Sequence, residues 1–183
     1  MEDDQLEKLR YPVGRFITPN EYSTENMEMW IREIDELPSQ CRNAFQGFTE
    51  EMLADNYRPG GWTARQVIHH IVDSHINAYI RFKLTLTEDV PVIRPYLEGL
   101  WAELNDSKNA PPEYSLTLLE ALHRRWILVI NNISEIEFNR CYFHPESKKE
   151  FMLKTALALY AWHGKHHLEH IRIVKRKFAD VRA

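Results

Sequence analysis

Glycine is scarce in this chain, with six in 183 residues against an average usage of about 7%. Few glycines and long periodic apolar stretches point to helices rather than many short strands. Cysteine is scarcer still. The two present, Cys41 and Cys141, stand in no metal-type spacing, which excludes a disulfide scaffold and fits a reducing compartment. No run reaches the roughly 18–20 apolar residues that a helical membrane span needs. Basic residues are not in excess: 23 Lys and Arg against 27 Asp and Glu give a net charge of −4. That balance argues against a dedicated nucleic-acid binder, which shows a basic stripe. Met1–Arg10 is acidic and lacks an apolar core, so no secretory signal and a cytoplasmic location are expected. Neither an internal repeat nor a low-complexity tract is visible.

Hydrophobic residues make up 44% of the chain, the ordinary fraction for a domain that buries its own core. The length predicts one domain over 1–183, with an N-terminal arm over about 1–22 whose Tyr11–Phe16 segment is apolar and turn-rich. Met27, Trp30, Ile31, Ile34 and Leu37 predict a helix over 24–45, which Pro38 should kink or restart. The turn at 56–62 precedes Thr63 and Gln66, a capping box that predicts a helix over 63–86. The connection 87–114 carries Pro91, Pro95, Pro111 and Pro112, with room for a short helix over Tyr96–Leu104. Ser115 is read as the cap of a helix through about 133. A crossover over 134–152 leads to a last helix over 153–178. Four long helices joined by long crossovers predict an all-α four-helix bundle.

Nine histidines are present, and four of them, His163, His166, His167 and His170, fall within eight residues. On a helix these four share an arc of roughly 100°. His163/His167 and His166/His170 are i, i+4 neighbours, the spacing at which two imidazoles hold one metal ion. The apolar face of that helix runs through Leu153, Leu157, Tyr160, Leu168, Ile171 and Val174. His167 lies roughly 35° and His163 roughly 75° from its centre, so this pair should project inward. His170 and His166 lie roughly 95° and 135° away, which places His166 toward the rim. The second long helix supplies His69, His70 and His75. Here periodicity leaves the ligand open: His75 lies nearly on the apolar face, whereas His70 lies on a polar stripe with Gln66, Asp73, Ser74, Asn77 and Arg81. That stripe is either solvated surface or the lining of a polar cavity in which Asp73 or Asn77 orients a ligand. His123 and His144 stand alone and are assigned structural roles.

Several blocks carry a family likeness. They are Tyr11-Pro-Val-Gly14, Gly60-Gly-Trp-Thr-Ala-Arg-Gln-Val-Ile-His-His-Ile-Val-Asp-Ser-His-Ile-Asn-Ala-Tyr-Ile-Arg-Phe-Lys-Leu84, Ile93-Arg-Pro-Tyr96, Phe143-His-Pro145 and Leu159-Tyr-Ala-Trp-His-Gly-Lys-His-His167. Over about Tyr11–Val174 the chain resembles the DinB/YfiT-like superfamily, and within it the YfiT group of metal-dependent hydrolases. The resemblance implies an up-down-down-up bundle and a homodimer. It also implies one divalent ion, zinc or nickel, held by His70, His163 and His167. The choice of His70 rests on this likeness alone. Gly164-Lys165 departs from the pattern, which bears on the pocket rim.

Three neutral imidazoles leave an open position on the ion, where a water can have its pKa lowered to about 7. That supports hydrolysis of a small-molecule ester or amide. Asp73 and His166 are the candidate catalytic groups, and Asn77 and Arg81 the candidate substrate contacts. The alternative is a bacillithiol-type S-transferase, because coordination also stabilises a thiolate. A low-molecular-weight thiol with anionic groups should meet arginines such as Arg65, Arg81 or Arg94. A third alternative is a non-catalytic metal-binding module.

Overall fold

In the computed structural model, residues 3–180 are described. The elements are α1 (Asp3–Arg10), α2 (Thr24–Phe45), α3 (Glu50–Ala54), α4 (Ala64–Thr87), α5 (Glu98–Trp101), α6 (Asn105–Asn109), α7 (Pro112–Ile130), β1 (Cys141–His144), β2 (Lys149–Met152) and α8 (Leu153–Asp180). Helices α2, α4, α7 and α8 form the bundle. Each of α2 and α4 packs against both α7 and α8, so α2 faces α4, and α7 faces α8, across a diagonal.

The apolar core is divided into two halves. One joins Leu37–Phe45 of α2, Ala64–Val72 of α4, Leu116 and Leu119 of α7, and Leu168–Val174 of α8. The other joins Trp30 and Ile34, Ala78 and Phe82, Trp126 and Ile130, and Leu153–Ala161. Each half thus takes the late part of α2 and α8 with the early part of α4 and α7, or the reverse. Helices α2 and α8 therefore run parallel to each other and antiparallel to α4 and α7, the expected up-down-down-up order. Between the halves lie His75, His123, His163 and His167, a layer of imidazoles across the middle of the bundle.

Local chemistry explains where the elements begin and where expectation and structure part. Ser23 caps α2 by accepting from Asn26 N at 3.2 Å. Pro38 does not break α2, which continues to Phe45. Proline has no N–H, so the Ile34 carbonyl one turn earlier loses its helical donor. His123 Nδ1 takes that place at 2.6 Å. Helix α7 begins at Pro112, a residue suited to a first turn whose N–H would be unpaired in any case. Ser115 is consequently inside the helix rather than its cap, and it bonds His69 instead. The crossover before α8 contains a two-stranded antiparallel hairpin, β1 with β2, too short for alternation to announce it.

Candidate metal centre

Helix α4 is fixed at its start by a reciprocal cap: Gln66 N donates to Thr63 Oγ1 at 3.2 Å, and Thr63 N donates to Gln66 Oε1 at 3.0 Å. Gln66 Nε2 also donates to Ala102 O at 2.8 Å, tying the connection after α5 to this end of the bundle. Two turns into α4, His70 faces α8. There His163 and His167 stand one turn apart with ring centroids 4.5 Å from each other. The His70 ring lies 4.7 Å from His167 and 5.3 Å from His163. One ring nitrogen from each of these three histidines lies within 4.8 Å of the others. The Trp62 ring walls the cluster, 4.6 Å from His70 and 6.3 Å from His167.

The donor set fits a divalent ion. His70 Nε2 and His163 Nε2 are 3.3 Å apart. Two nitrogens bound at about 2.0–2.1 Å to one tetrahedral ion stand about 3.3–3.4 Å apart. Burial, reinforced by the nearby His166, pushes the His70 pKa down to about 4. Burial and neighbouring imidazoles hold His163 and His167 well below the usual histidine range. All three are neutral at pH 7, the form that ligates.

The remaining histidines divide sharply. His69 points away: its Nδ1 meets Ser115 Oγ at 2.7 Å and its Nε2 the Ala110 carbonyl at 3.2 Å, pinning the start of α7. His75, on the apolar face as periodicity placed it, is 0% exposed. It bridges two histidines, with Nδ1 2.9 Å from His123 Nε2 and Nε2 3.3 Å from His163 Nδ1. His144 is half-buried in β1, with its ring 6.0 Å from Phe151.

His166 was expected at the rim and is instead 6% exposed. The chain between α1 and α2 covers that side of α8. Tyr11 lies 5.9 Å from His166, Trp162 stacks on it at 4.6 Å, and Trp162 Nε1 donates to Gly14 O at 3.1 Å. His166 Nδ1 is buried without a partner. His166, His167 and His170 form a second group with nitrogens within 4.8 Å of one another.

Comparison with known proteins places this arrangement. The DinB superfamily pattern matches residues 33–171. The chain belongs to the DinB superfamily. Among curated relatives of this DinB-superfamily chain, a Bacillus subtilis protein named "Putative metal-dependent hydrolase YfiT" is 45% identical over 169 residues, 92% of this chain and 95% of that one. A Bacillus cereus protein, also named "Putative metal-dependent hydrolase", is 45% identical over 172 residues, 94% of this chain and 98% of its own. The solved structure of Bacillus subtilis YfiT, described as having an unusual four-helix bundle topology, superposes with a TM-score of 0.91 at 44% identity. It covers 94% of this chain and 98% of that one.

The other polar candidates on α4 are placed as follows. Asp73, one turn after His70, is half-buried. Burial, reinforced by Asp106, raises its pKa to about 6. Asn77 lines a cavity of about 740 Å³ with Arg94, Tyr96, Leu100, Trp101 and Leu104. Arg81 Nη1 donates to the Tyr160 hydroxyl at 2.9 Å, and its Nε is buried without a partner. Arg65 is committed to the Glu50 carboxylate and to Ala110 O.

Proposed function

We propose that this protein is a metal-dependent hydrolase whose divalent ion, zinc or nickel, is held by His70, His163 and His167. The 3.3 Å separation of the His70 and His163 Nε2 atoms carries this, because it matches the edge of a tetrahedral site. When bound, the ion supplies Lewis-acid activation of water or of a substrate carbonyl. The three imidazoles orient it from two helices. Trp62 limits water on one side.

Asp73 is the proton acceptor of this proposal. A carboxyl with a pKa of about 6 is close enough to neutrality to take a proton from water and return it to a leaving group. His166 is less suited, since its ring is packed beneath Tyr11 and Trp162. The cavity beside Asn77 is lined mainly by apolar side chains together with Arg94, which fits a small, partly apolar substrate. Of the three arginines that a thiol cofactor with anionic groups would use, Arg65 is already paired with a carboxylate, whereas Arg81 bonds only the neutral Tyr160 hydroxyl.

The test is metal per chain in six variants. His70→Ala, His163→Ala and His167→Ala should each lose stoichiometric metal with helical content retained. His69→Ala and His166→Ala should keep it. Metal retained in His70→Ala and lost in His75→Ala would overturn the ligand set. Stoichiometric metal without turnover of any ester or amide would refute the hydrolase, and an assay with a thiol and an electrophile would then separate a transferase from a binding module.

A further inference from the structure

Two chains of hydrogen-bonded imidazoles lead into the histidine cluster, and each begins on a backbone carbonyl that a helix has left free. The first begins at Ile34 O, freed by Pro38. It runs through His123 Nδ1 (2.6 Å), His123 Nε2 to His75 Nδ1 (2.9 Å), and His75 Nε2 to His163 Nδ1 (3.3 Å). The second begins at Arg10 O, on the last residue of α1, where the end of the helix leaves carbonyls without helical donors. It runs through His170 Nε2 (3.3 Å) and His170 Nδ1 to His167 Nδ1 (3.3 Å).

The direction of every bond is fixed from its carbonyl end. A carbonyl oxygen only accepts, so His123 Nδ1 and His170 Nε2 must each carry the hydrogen. A neutral imidazole has one N–H and one lone pair. His123 Nε2 therefore accepts from His75 Nδ1–H. His75 Nε2 then accepts from His163 Nδ1–H, and the lone pair of His163 is left on Nε2. On the other side, His170 Nδ1 accepts from His167 Nδ1–H, and the lone pair of His167 is also left on Nε2. We propose that His75, His123 and His170 are positioning residues that lock His163 and His167 into the one tautomer whose Nε2 lone pair faces the ion.

The proposal rests on the ligand set above and deepens it. It gives α1 and Pro38 a role at the site although neither touches the cluster. It also gives the second histidine group a use other than a second ion, because both nitrogens of His170 are already engaged.

His123→Phe and His170→Phe remove the relays while keeping a ring in each place. The expected result is one zinc per chain in all proteins. Zinc affinity, measured by competition with a chelator, should fall about 10–100-fold in each variant, the usual cost of losing such a partner. Unfolding stability in chelator should fall as well in His123→Phe, which leaves the Ile34 carbonyl without a donor, so the zinc affinity decides. A merely structural role would lower stability and leave zinc affinity alone, and that pattern overturns the proposal. His123→Gln, which keeps a donor and an acceptor, should recover most of the affinity. Independently of any metal, nitrogen-15 NMR of metal-free wild-type protein should show His163 and His167 protonated at Nδ1. Protonation at Nε2 overturns the proposal even where the variants fail to fold. Two zinc ions in wild-type protein and one in His170→Phe would mark a second metal site and overturn the second relay. Absence of zinc binding in wild-type protein would refute the ligand set, leaving the NMR result to judge the relays.

Discussion

Gly164 lies in the middle of α8, next to His163, where that helix crosses α2. A Cβ built there would stand 2.6 Å from Leu37 Cδ2 and 3.2 Å from Leu37 Cδ1. In an open helix Gly→Ala stabilises by about 1 kcal/mol. Here both Leu37 methyls are in the way, so turning the last torsion of Leu37 exchanges one clash for the other. Leu37 is 2% exposed, and any room must come from its packed neighbours. Overpacking of this kind costs about 1–3 kcal/mol. We take the upper half of that range, so Gly164→Ala should destabilise by about 1–2 kcal/mol after the helix gain is subtracted. The sign should reverse once Leu37 is shortened. Leu37→Ala alone costs about 2–5 kcal/mol, but in that background Gly164→Ala should stabilise by about 1 kcal/mol. Urea unfolding of the four proteins in chelator gives the cycle directly. An equal effect of Gly164→Ala in both backgrounds, or stabilisation of the wild-type chain, would refute the reasoning.

Two further outcomes are expected. His123 is buried, and its pKa is pushed down to about 4 from the ordinary 6.5; the unfolded chain therefore binds the extra proton first. Stability in chelator should be full above about pH 6.5 and fall as pH drops toward about 4. His123 should account for about 3 kcal/mol of that fall, a loss that His123→Phe removes; an unchanged pH slope in the variant would contradict this. Asp73→Asn should lower kcat by about 10²–10⁴-fold with metal content unchanged, whereas loss of metal would make Asp73 a ligand rather than a base.

The long helices were legible because their signals are local. The apolar spacing of α2, the cap at Thr63 and the stripe on α8 each act within a few turns. The start of α7 was misplaced because Ser115 has the chemistry of a cap, while Pro111-Pro112 had already set the boundary. Helix α1 went unassigned, since eight largely charged residues carry little apolar pattern. The burial of His166 could not be read from α8: it comes from Tyr11, Gly14 and their neighbours, which lie far away in sequence. His123 was a missed signal. Leu116, Leu119, His123, Trp126 and Ile130 follow steps of three and four, so the histidine stands in the core stripe of α7. Periodicity also put His75 at the centre of its face. The centre of that face lies between α7 and α8, however, where His75 meets His123 and backs His163, and the cluster around His163 and His167 forms toward the side where His70 lies.

The diagonal placement of α2 against α4, and of α7 against α8, has a consequence for synthesis. His70 and His163 are separated by 93 residues. At about 5–20 residues per second, roughly 5–20 s pass between the appearance of one and of the other. During that interval α2 and α4 have emerged without a shared packing face, and they are joined only through α7, which follows both. Both halves of the core draw on α8, which leaves the ribosome after the other three bundle helices. Closing the bundle is therefore a late, long-range event, the kind that slows folding and leaves apolar faces waiting. The three-histidine cluster, which needs α8 as well as α4, exists only once translation has passed α8.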